Sequence, residues 1–469
     1  MNRVLAALLA GLVGAATPAS PLAAQDKPVA ASAIVERRAI ETALWAIPIV
    51  SFDAMREAYF RDAGAHYNDI IHWPRGADWH MQLTTPNTTS HYAYLNFNLK
   101  DGPLVLEIPG ADGAGTYGNL ADAWQVPVEE FGPSGIDEGQ GGKFVLLPPG
   151  YQGSAPAGYR VVQMPTFNGQ VLFRANPASR SARDLAAGDA LIRRLRAYPL
   201  TQAAAPPPQR LIDMTDRLID GIVRYDDTFF DRLARMINEE PPQARDKVAM
   251  GMAQSLGLGR GTPFTPDSTR RALLARAAAE AKAEAIDLTQ TNRTPWWPDG
   301  RWTTPRGFLA FGQAGMTFET ADSLLVDPRA QTFYLAFAVP KRLGGASFYL
   351  SQLSDAQGHP LSGDKHWQLH VPAKVPTRQF WAVTVYDLDT GGFIRDAAVV
   401  GYDSLDRNLR RNADGSVDFH FSAERPADRK TNWIALKPGG RWFVSFRFYG
   451  PDPTLRDKTW RLPDLVEVP

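Results

Sequence analysis

Between Asn412 and Trp460 the apolar side chains return at every second position, and that period constrains the fold more than any other feature of the chain. Val417, Phe419 and Phe421 alternate with Asp418 and His420. Further on, Trp442, Val444, Phe446 and Phe448 face one way, and Ser445 and Arg447 face the other. A period of two belongs to a strand with one buried face. Asp414-Gly415 supplies the positive φ of a tight turn just before the first run. The expectation is two half-buried antiparallel strands with a loop between them.

The same grammar governs residues 95–173. The runs LVLEIP, KFVLLPP, YRVVQMP and VLFRAN are short, rich in β-formers and divided by Gly/Pro turns at the spacing of a sandwich or barrel. Residues 34–62 and 180–290 read differently. Ile34, Ile40, Leu44 and Ile47 fall near one helical face, with a break expected at Pro48 and Ser51 as the next N-cap. SARDLAAGDALIRRLRAYPL, the run from Leu211 to Glu240, and the Ala/Arg/Glu stretch opened by Thr265-Pro266-Asp267 have helical period and composition. The fold class expected is therefore mainly β with a helical insert (α+β). Two antiparallel β-sandwich or jelly-roll-like domains would be joined by a helical segment. The divisions are an N-terminal β domain at 25–179 with a helical arm, a helical insert at 180–300, and a C-terminal β-sandwich at 301–469.

Several motifs carry a family resemblance. NADGSVD at Asn412–Asp418, Asn432-Trp433, FRFYGP at Phe446–Pro451 and DKTW at Asp457–Trp460 resemble the DUF1214 half of the DUF1254/DUF1214 proteins, as does Phe380–Asp387. Thr85-Pro86-Asn87 and the stretch Lys100–Pro109 resemble the DUF1254 half. The resemblance implies a bacterial protein, in many cases exported, and assigns no activity. Two departures stand out. Relatives commonly read Asn, any residue, Asp, Thr where this chain has Thr89 in the Asp position, and they often carry Arg where it has Gly391.

Arg3 precedes an uncharged, mostly apolar run to Ala16, and a Pro/Ser/Ala-rich stretch ends at Leu22-Ala23-Ala24. That pattern predicts a signal peptide over 1–24, cleaved before Gln25, and hence a periplasmic or secreted protein. An uncleaved membrane anchor needs about 20 apolar residues, and this run is shorter and broken by Pro18 and Pro21. No transmembrane segment is expected after cleavage. The 469-residue chain has no cysteine, which removes disulfides, thiolate nucleophiles and zinc-thiolate sites. Its 50 basic and 50 acidic side chains balance, so no nucleic-acid partner is expected. The long Ala/Arg/Glu helix is expected to serve packing or a subunit interface, which leaves a homo-oligomer open.

Candidate ligand residues cluster in three places. Thr84–His91 sets hydroxyls and an amide around the turn at Pro86, with Asn87, Thr89 and His91 as the side chains to follow. Trp124 stands beside Asp122 in YGNLADAWQVP. Trp296, Trp297 and Trp302 put three indoles in seven residues, suited either to a sugar ring or to plugging a junction. The histidines at 66, 72, 80 and 91 lack metal-ligand spacing, and His366 and His370 sit on a strand, with Cβ atoms about 13 Å apart at ~3.3 Å per residue. No metal and no cofactor is expected.

No Gly-x-Ser-x-Gly elbow, His-Glu-x-x-His or nucleotide fingerprint occurs. The leading expectation is an exported protein that binds a small molecule or glycan in a cleft between its two β domains. A carboxylate-dependent, glycosidase-like hydrolase using Asp122 and Asp387 is the enzymatic alternative, and a structural or assembly protein with no ligand site is the third.

Overall fold

The computed structural model describes residues 32–308, 310, 315–341, 347–428 and 431–469; the expected signal peptide, 1–24, lies outside them. Helix α1 (Ser32–Arg61) runs through Pro48 without stopping, contrary to the break read from the sequence. A proline inside a helix costs about 3 kcal/mol. Against that, Trp45, Ala46, Ile47, Ile49, Val50 and Phe52 are each 1 % exposed or less, and each large apolar side chain buried contributes about 1.5–3 kcal/mol. Burial outweighs the proline. The Pro48 carbonyl also accepts from Gln125 Nε2 at 2.9 Å.

The N-terminal strands are β1 (Ile70–Trp73), β2 (Met81–Gln82), β3 (His91–Asn98), β4 (Leu104–Ile108), β5 (Ala114–Asp122) and β6 (Pro127–Phe131). They continue with β7 (Gly142–Leu147), β8 (Arg160–Gln163) and β9 (Asn168–Pro177). Helix α2 (Ala182–Ile192) follows, then β10 (Arg196–Pro199), β11 (Leu211–Asp213) and β12 (Ile219–Asp220). One sheet has the order β11-β1-β3-β9-β5-β6 and a second β10-β4-β7-β8, with β12 and β2 as a separate pair. Between the two larger sheets Leu95, Phe97, Val171 and Phe173 pack with Leu104, Leu106, Phe144 and Leu146 in one apolar core.

The helical period expected from Leu211 onward is realised only from Phe229. Leu211–Asp213 and Ile219–Asp220 instead pair in parallel with β1 and β2. Exposed edge amides of β1 and β2 accept these short segments, and tertiary pairing overrides local propensity. Helices α3 (Phe229–Glu239), α4 (Lys247–Ser255) and α5 (Ser268–Thr291) then pack on α1. The Asp267 carboxylate caps α5 by accepting from Arg270 N at 2.7 Å. Leu273, Leu274, Ala277, Ala278, Ala281 and Ala285 turn its apolar stripe into the same chain's core.

Strands β13 (Arg293–Pro295) and β14 (Thr303–Pro305) lead to helix α6 (Val326–Leu335), which also packs on α1 and α5. The C-terminal strands follow: β15 (Ser347–Gln352), β16 (Leu361–Ser362), β17 (His366–Val371), β18 (Thr377–Asp387) and β19 (Gly401–Asp403). The last are β20 (Val417–Ser422), β21 (Asn432–Ala435), β22 (Arg441–Pro451) and β23 (Val466–Val468). One sheet runs β13-β14-β15-β22-β18-β19, with β16 also on β22, and the other β21-β20-β17-β23. The two alternating runs of the C-terminal stretch, β20 and β22, therefore lie in different sheets rather than side by side. They meet through their apolar faces: Phe421 stacks on Trp442 at 5.3 Å, and Trp381 stacks on Phe446 at 5.4 Å and meets Phe419 edge-on at 6.1 Å. The architecture is mainly β, built of several open sheets and a smaller set of helices. Among the described residues no helix is long and apolar enough to cross a membrane.

Candidate functional site

Residues directly opposite in an antiparallel pair share a face of the sheet. Across β3, β9 and β5 this aligns Tyr92, Arg174 and Tyr117 in one row, and Tyr94, Leu172 and Asn119 two residues along, with Glu130 of β6 beside Asn119. On the C-terminal sheet Tyr349, Arg447, Ala382 and Asp403 form a row, with Ser347, Tyr449 and Phe380 in the next. The other faces of these strands are spent on the two apolar cores. Their polar rows are near one another: Tyr349 acts on the Arg174 charge, and Tyr92 acts on that of Arg447.

The loop from Thr84 to Ser90 leads into β3 and bonds to the C-terminal rows. Thr85 takes a φ of +41°, donating its N–H to Gly391 O at 2.7 Å and its hydroxyl to Leu335 O at 2.6 Å. Pro86 O accepts from the Tyr386 hydroxyl at 2.6 Å, and Thr85 O accepts from Arg447 Nη2 at 3.1 Å. Asn87 closes the turn expected of it, its Oδ1 accepting the Thr89 N–H at 2.9 Å and the Thr89 hydroxyl at 2.6 Å. Its Nδ2 donates to the Tyr449 phenol. Arg180, just beyond β9, donates to Thr89 O at 3.0 Å and pairs with Asp403. The glycine where relatives carry Arg also has a reason here. Gly391 has a φ of +69°, and a Cβ there would stand 3.2 Å from Tyr334 O and 3.5 Å from Thr84 Cγ2.

The charges at this place are unusual. Arg447 is 3 % exposed and its Nε has no partner. Its guanidinium lies 5.2 Å over the Tyr349 ring and 5.4 Å over Tyr386. Arg174 lies 5.5 Å over Tyr92 and 5.1 Å over Tyr117, and donates to Asn119 Oδ1 at 2.9 Å. Among the described residues neither arginine makes an ion pair with a carboxylate. Burial works against each charge, while surrounding tyrosines hold both guanidinium pKa values above the ordinary arginine value. Burial likewise raises the Tyr386 and Tyr449 phenols, so both are neutral at pH 7 and offer no countercharge. Arg56 shows the contrasting arrangement: 4 % exposed, it is paired with Asp53 at 2.6 Å and Glu239 at 2.6 Å. An unpaired buried ion costs several kcal/mol, so Arg447 at this loop needs an explanation, with the half-buried Arg174 as a second cation without a carboxylate partner.

The structure places the remaining candidates elsewhere. His91 stands opposite Ala175 on the reverse face of the sheet, with Nδ1 unpartnered; burial chiefly, and Arg180 after it, lowers its pKa to about 4. Trp124 packs against Trp45 at 4.7 Å, with Arg329 over its ring at 5.1 Å. Trp297 and Trp302 are 4 % and 0 % exposed, and Trp302 donates Nε1–H to Pro463 O at 2.8 Å. Trp296 packs on Phe348 at 4.7 Å under Lys458. These indoles fill the junction. Asp122 accepts from the amides of Trp124 and Val126, both at 2.8 Å, and burial raises its pKa to about 6. Asp387 accepts from Asp389 N at 2.8 Å and Thr390 N at 3.2 Å, and burial raises its pKa too. Each carboxylate thus closes its own turn, and no hydrogen bond or ion pair joins the two. His366 and His370 do lie on one strand, β17, where His366 meets His420 at 3.0 Å and His370 meets Asp418 at 2.7 Å. Among the described residues no three His, Asp or Glu side chains are grouped to hold a metal ion. Two small cavities, one between the N-terminal sheets and one beside Trp124 and Asp246, hold about 10 Å³ each, the space of a single water.

Of the residues around this loop, sequence reasoning singled out Asn87 and Thr89 as candidates but not Tyr92, Tyr117, Arg174, Tyr349, Tyr386, Arg447 and Tyr449. The usable signal was the outward position of Arg447 within an otherwise aromatic strand.

The VPA0106 protein from Vibrio parahaemolyticus, a crystal structure, superposes with a TM-score of 0.54 at 16 % identity, over 93 % of this chain and 100 % of its own. That is a likeness of fold. An uncharacterized protein from Burkholderia cenocepacia gives 0.37 at 14 % identity, over 93 % and 95 % of the two chains. No curated protein matches the chain. Residues 67–199 match the family described as "Protein of unknown function (DUF1254)", and residues 346–453 match "Protein of unknown function (DUF1214)". The loop at 84–90 lies in the first match and Arg447 and Tyr449 in the second, and the chain belongs to the DUF1254/DUF1214 family.

Proposed function

We propose that this protein is exported to the bacterial envelope and binds a small molecule or glycan in a cleft between two β domains. In this reading the sheet pairs are jelly-roll-like sandwiches, the N-terminal one within 25–179 and the C-terminal one within 301–469, with the insert at 180–300 holding them in register. The observation that carries it is the meeting of the loop at 84–90, which leads into β3 of the N-terminal sheet, with Arg447 and Tyr449 of the C-terminal rows. Asn87 and Thr89 meet the Tyr449 phenol there, and the Thr85 carbonyl meets Arg447, each across more than 350 residues of chain. Tyr349, 39 % exposed, gives the cleft an aromatic wall that solvent reaches. Rigid aromatics with a few convergent polar groups are what small-molecule sites are built from.

A thermal-shift screen of the purified protein against glycans and small metabolites tests the reading, repeated on Tyr349→Ala and Trp297→Phe. A saturable shift that vanishes in Tyr349→Ala and persists in Trp297→Phe is expected. If every hit survives Tyr349→Ala, the cleft is not the binding site. Export is tested separately, by N-terminal sequencing of the protein recovered from the periplasm, which should begin at Gln25.

A further inference from the structure

We infer that the ligand of this cleft is an anion, and that Arg174 and Arg447 together receive its oxyanion group. The inference rests on the cleft being a binding site and goes on to name what it binds.

The argument is one of charge and of unused donors. Arg447 spends its two terminal nitrogens on the carbonyls of Thr85 at 3.1 Å and Pro86 at 3.4 Å and on the Thr384 hydroxyl at 3.5 Å, and leaves Nε–H without an acceptor. Arg174, on the N-terminal sheet, is held by Asn119 and by the rings of Tyr92 and Tyr117 on its neighbouring strands, and is only half-buried. Both are fixed in direction by aromatic faces, which orient a guanidinium without neutralising it. The comparison with Arg329 separates this pair from ordinary burial. Arg329 is 1 % exposed and has unpartnered donors, yet Asp246, Asp122 and Glu319 act on it through space. The groups acting on Arg174 and Arg447 after burial are phenols. Two planar cations, one on each sheet and each set over tyrosine rings, form a receptor for a carboxylate, sulfate or phosphate group. The third arginine nearby, Arg180, is already matched by Asp403 and stands outside this count.

Isothermal titration of the purified protein with sodium sulfate, sodium phosphate and sodium benzoate tests this. Each is titrated at low millimolar concentration against a sodium chloride background of matched ionic strength, so that general salt effects cancel. Saturable binding of at least one oxyanion is expected, weakened tenfold or more in Arg174→Gln and again in Arg447→Gln. Arg174→Gln is the variant to rely on should Arg447→Gln fail to fold, because Arg174 is the more exposed. Benzoate alone would identify a carboxylate site, and sulfate or phosphate alone a tetrahedral one. Three outcomes overturn the inference: no oxyanion binds saturably, binding is unchanged in Arg174→Gln, or an uncharged hit from the screen binds in the cleft while all three anions fail. In the last case the cleft stands as a binding site and only its charge preference falls. If neither anions nor neutral compounds respond to Tyr349→Ala, the site itself is lost.

Discussion

The Tyr386 hydroxyl donates to the Pro86 carbonyl at 2.6 Å, joining residues 300 positions apart in the sequence. Pro86 turns the loop on which Asn87 and Thr89 sit, and Tyr386 stands fully buried at the end of β18. A buried bond of this kind contributes about 1 kcal/mol net, and removing one partner strands the other at a cost of about 1–3 kcal/mol. Tyr386→Phe removes only the hydroxyl and leaves the ring under Arg447. It should lower stability by about 1–2 kcal/mol in urea unfolding and weaken any ligand that depends on the loop. No change in either would mean the loop is held by its remaining bonds alone.

A second prediction concerns Asp53, which is 0 % exposed and binds Arg56 at 2.6 Å, Arg232 at 3.5 Å and Arg235. Taking one partner out of a buried ionic network leaves uncompensated charge and costs about 3–5 kcal/mol. Asp53→Asn should therefore destabilise by about 3 kcal/mol, toward the low end because Glu239 still balances Arg56. The exposed pair Arg75–Asp216 supplies the contrast, with side chains 67 % and 74 % accessible. Asp216→Asn should change stability by less than about 0.5 kcal/mol, since exposed pairs are screened by water and salt. Denaturant midpoints of the two variants check both.

How far the sequence could lead is visible in the strands themselves. Alternation placed β17, β20 and β22, and short β-rich runs between Gly/Pro turns placed β4, β7, β8 and β9, because both signals are local. It could not say that β20 and β22 belong to opposing sheets, since partner choice is decided by contacts far away in the chain. Helix α1 was misread at Pro48 because a local rule was overruled by burial on all sides. The site failed in a similar way. Asn87 declared itself through turn chemistry, but Arg174 and Tyr349 are meaningful only when two sheets are brought together. The tryptophan triplet suits a ligand platform and packing equally by residue type, and in the structure Trp297 and Trp302 are buried.

That packing role makes a third prediction. Trp302 is 0 % exposed, with its indole N–H on Pro463 O at 2.8 Å and its ring 6.2 Å from Phe446. Trp302→Phe removes the hydrogen bond and leaves a partial cavity, and large-to-small changes in a core cost about 1–3 kcal/mol when a ring is kept. Thermal unfolding should register that loss while the affinity of a cleft ligand stays within twofold of wild type. A large affinity loss in a folded Trp302→Phe protein would return the tryptophans to the site.

The last prediction uses Asp122, which burial holds at a pKa of about 6, against an ordinary value of 3.8. A carboxyl whose folded pKa is raised keeps its proton in the native state over a range where the unfolded chain has released it. Between about pH 4 and pH 6 the native state thus binds more protons, and stability falls as pH rises through that window, then levels off. Two pKa units correspond to about 3 kcal/mol, the loss expected from this group once it is fully ionised. Asp122→Asn keeps an oxygen for the amides of Trp124 and Val126 and removes the titration. Relative to wild type the variant should therefore gain about 2–3 kcal/mol on going from pH 4 to pH 7.5, read as the difference between two sets of urea unfolding curves. A wild-type minus variant difference that is flat across that range would show that the nearby Arg245 and Arg329 charges hold Asp122 ionised throughout.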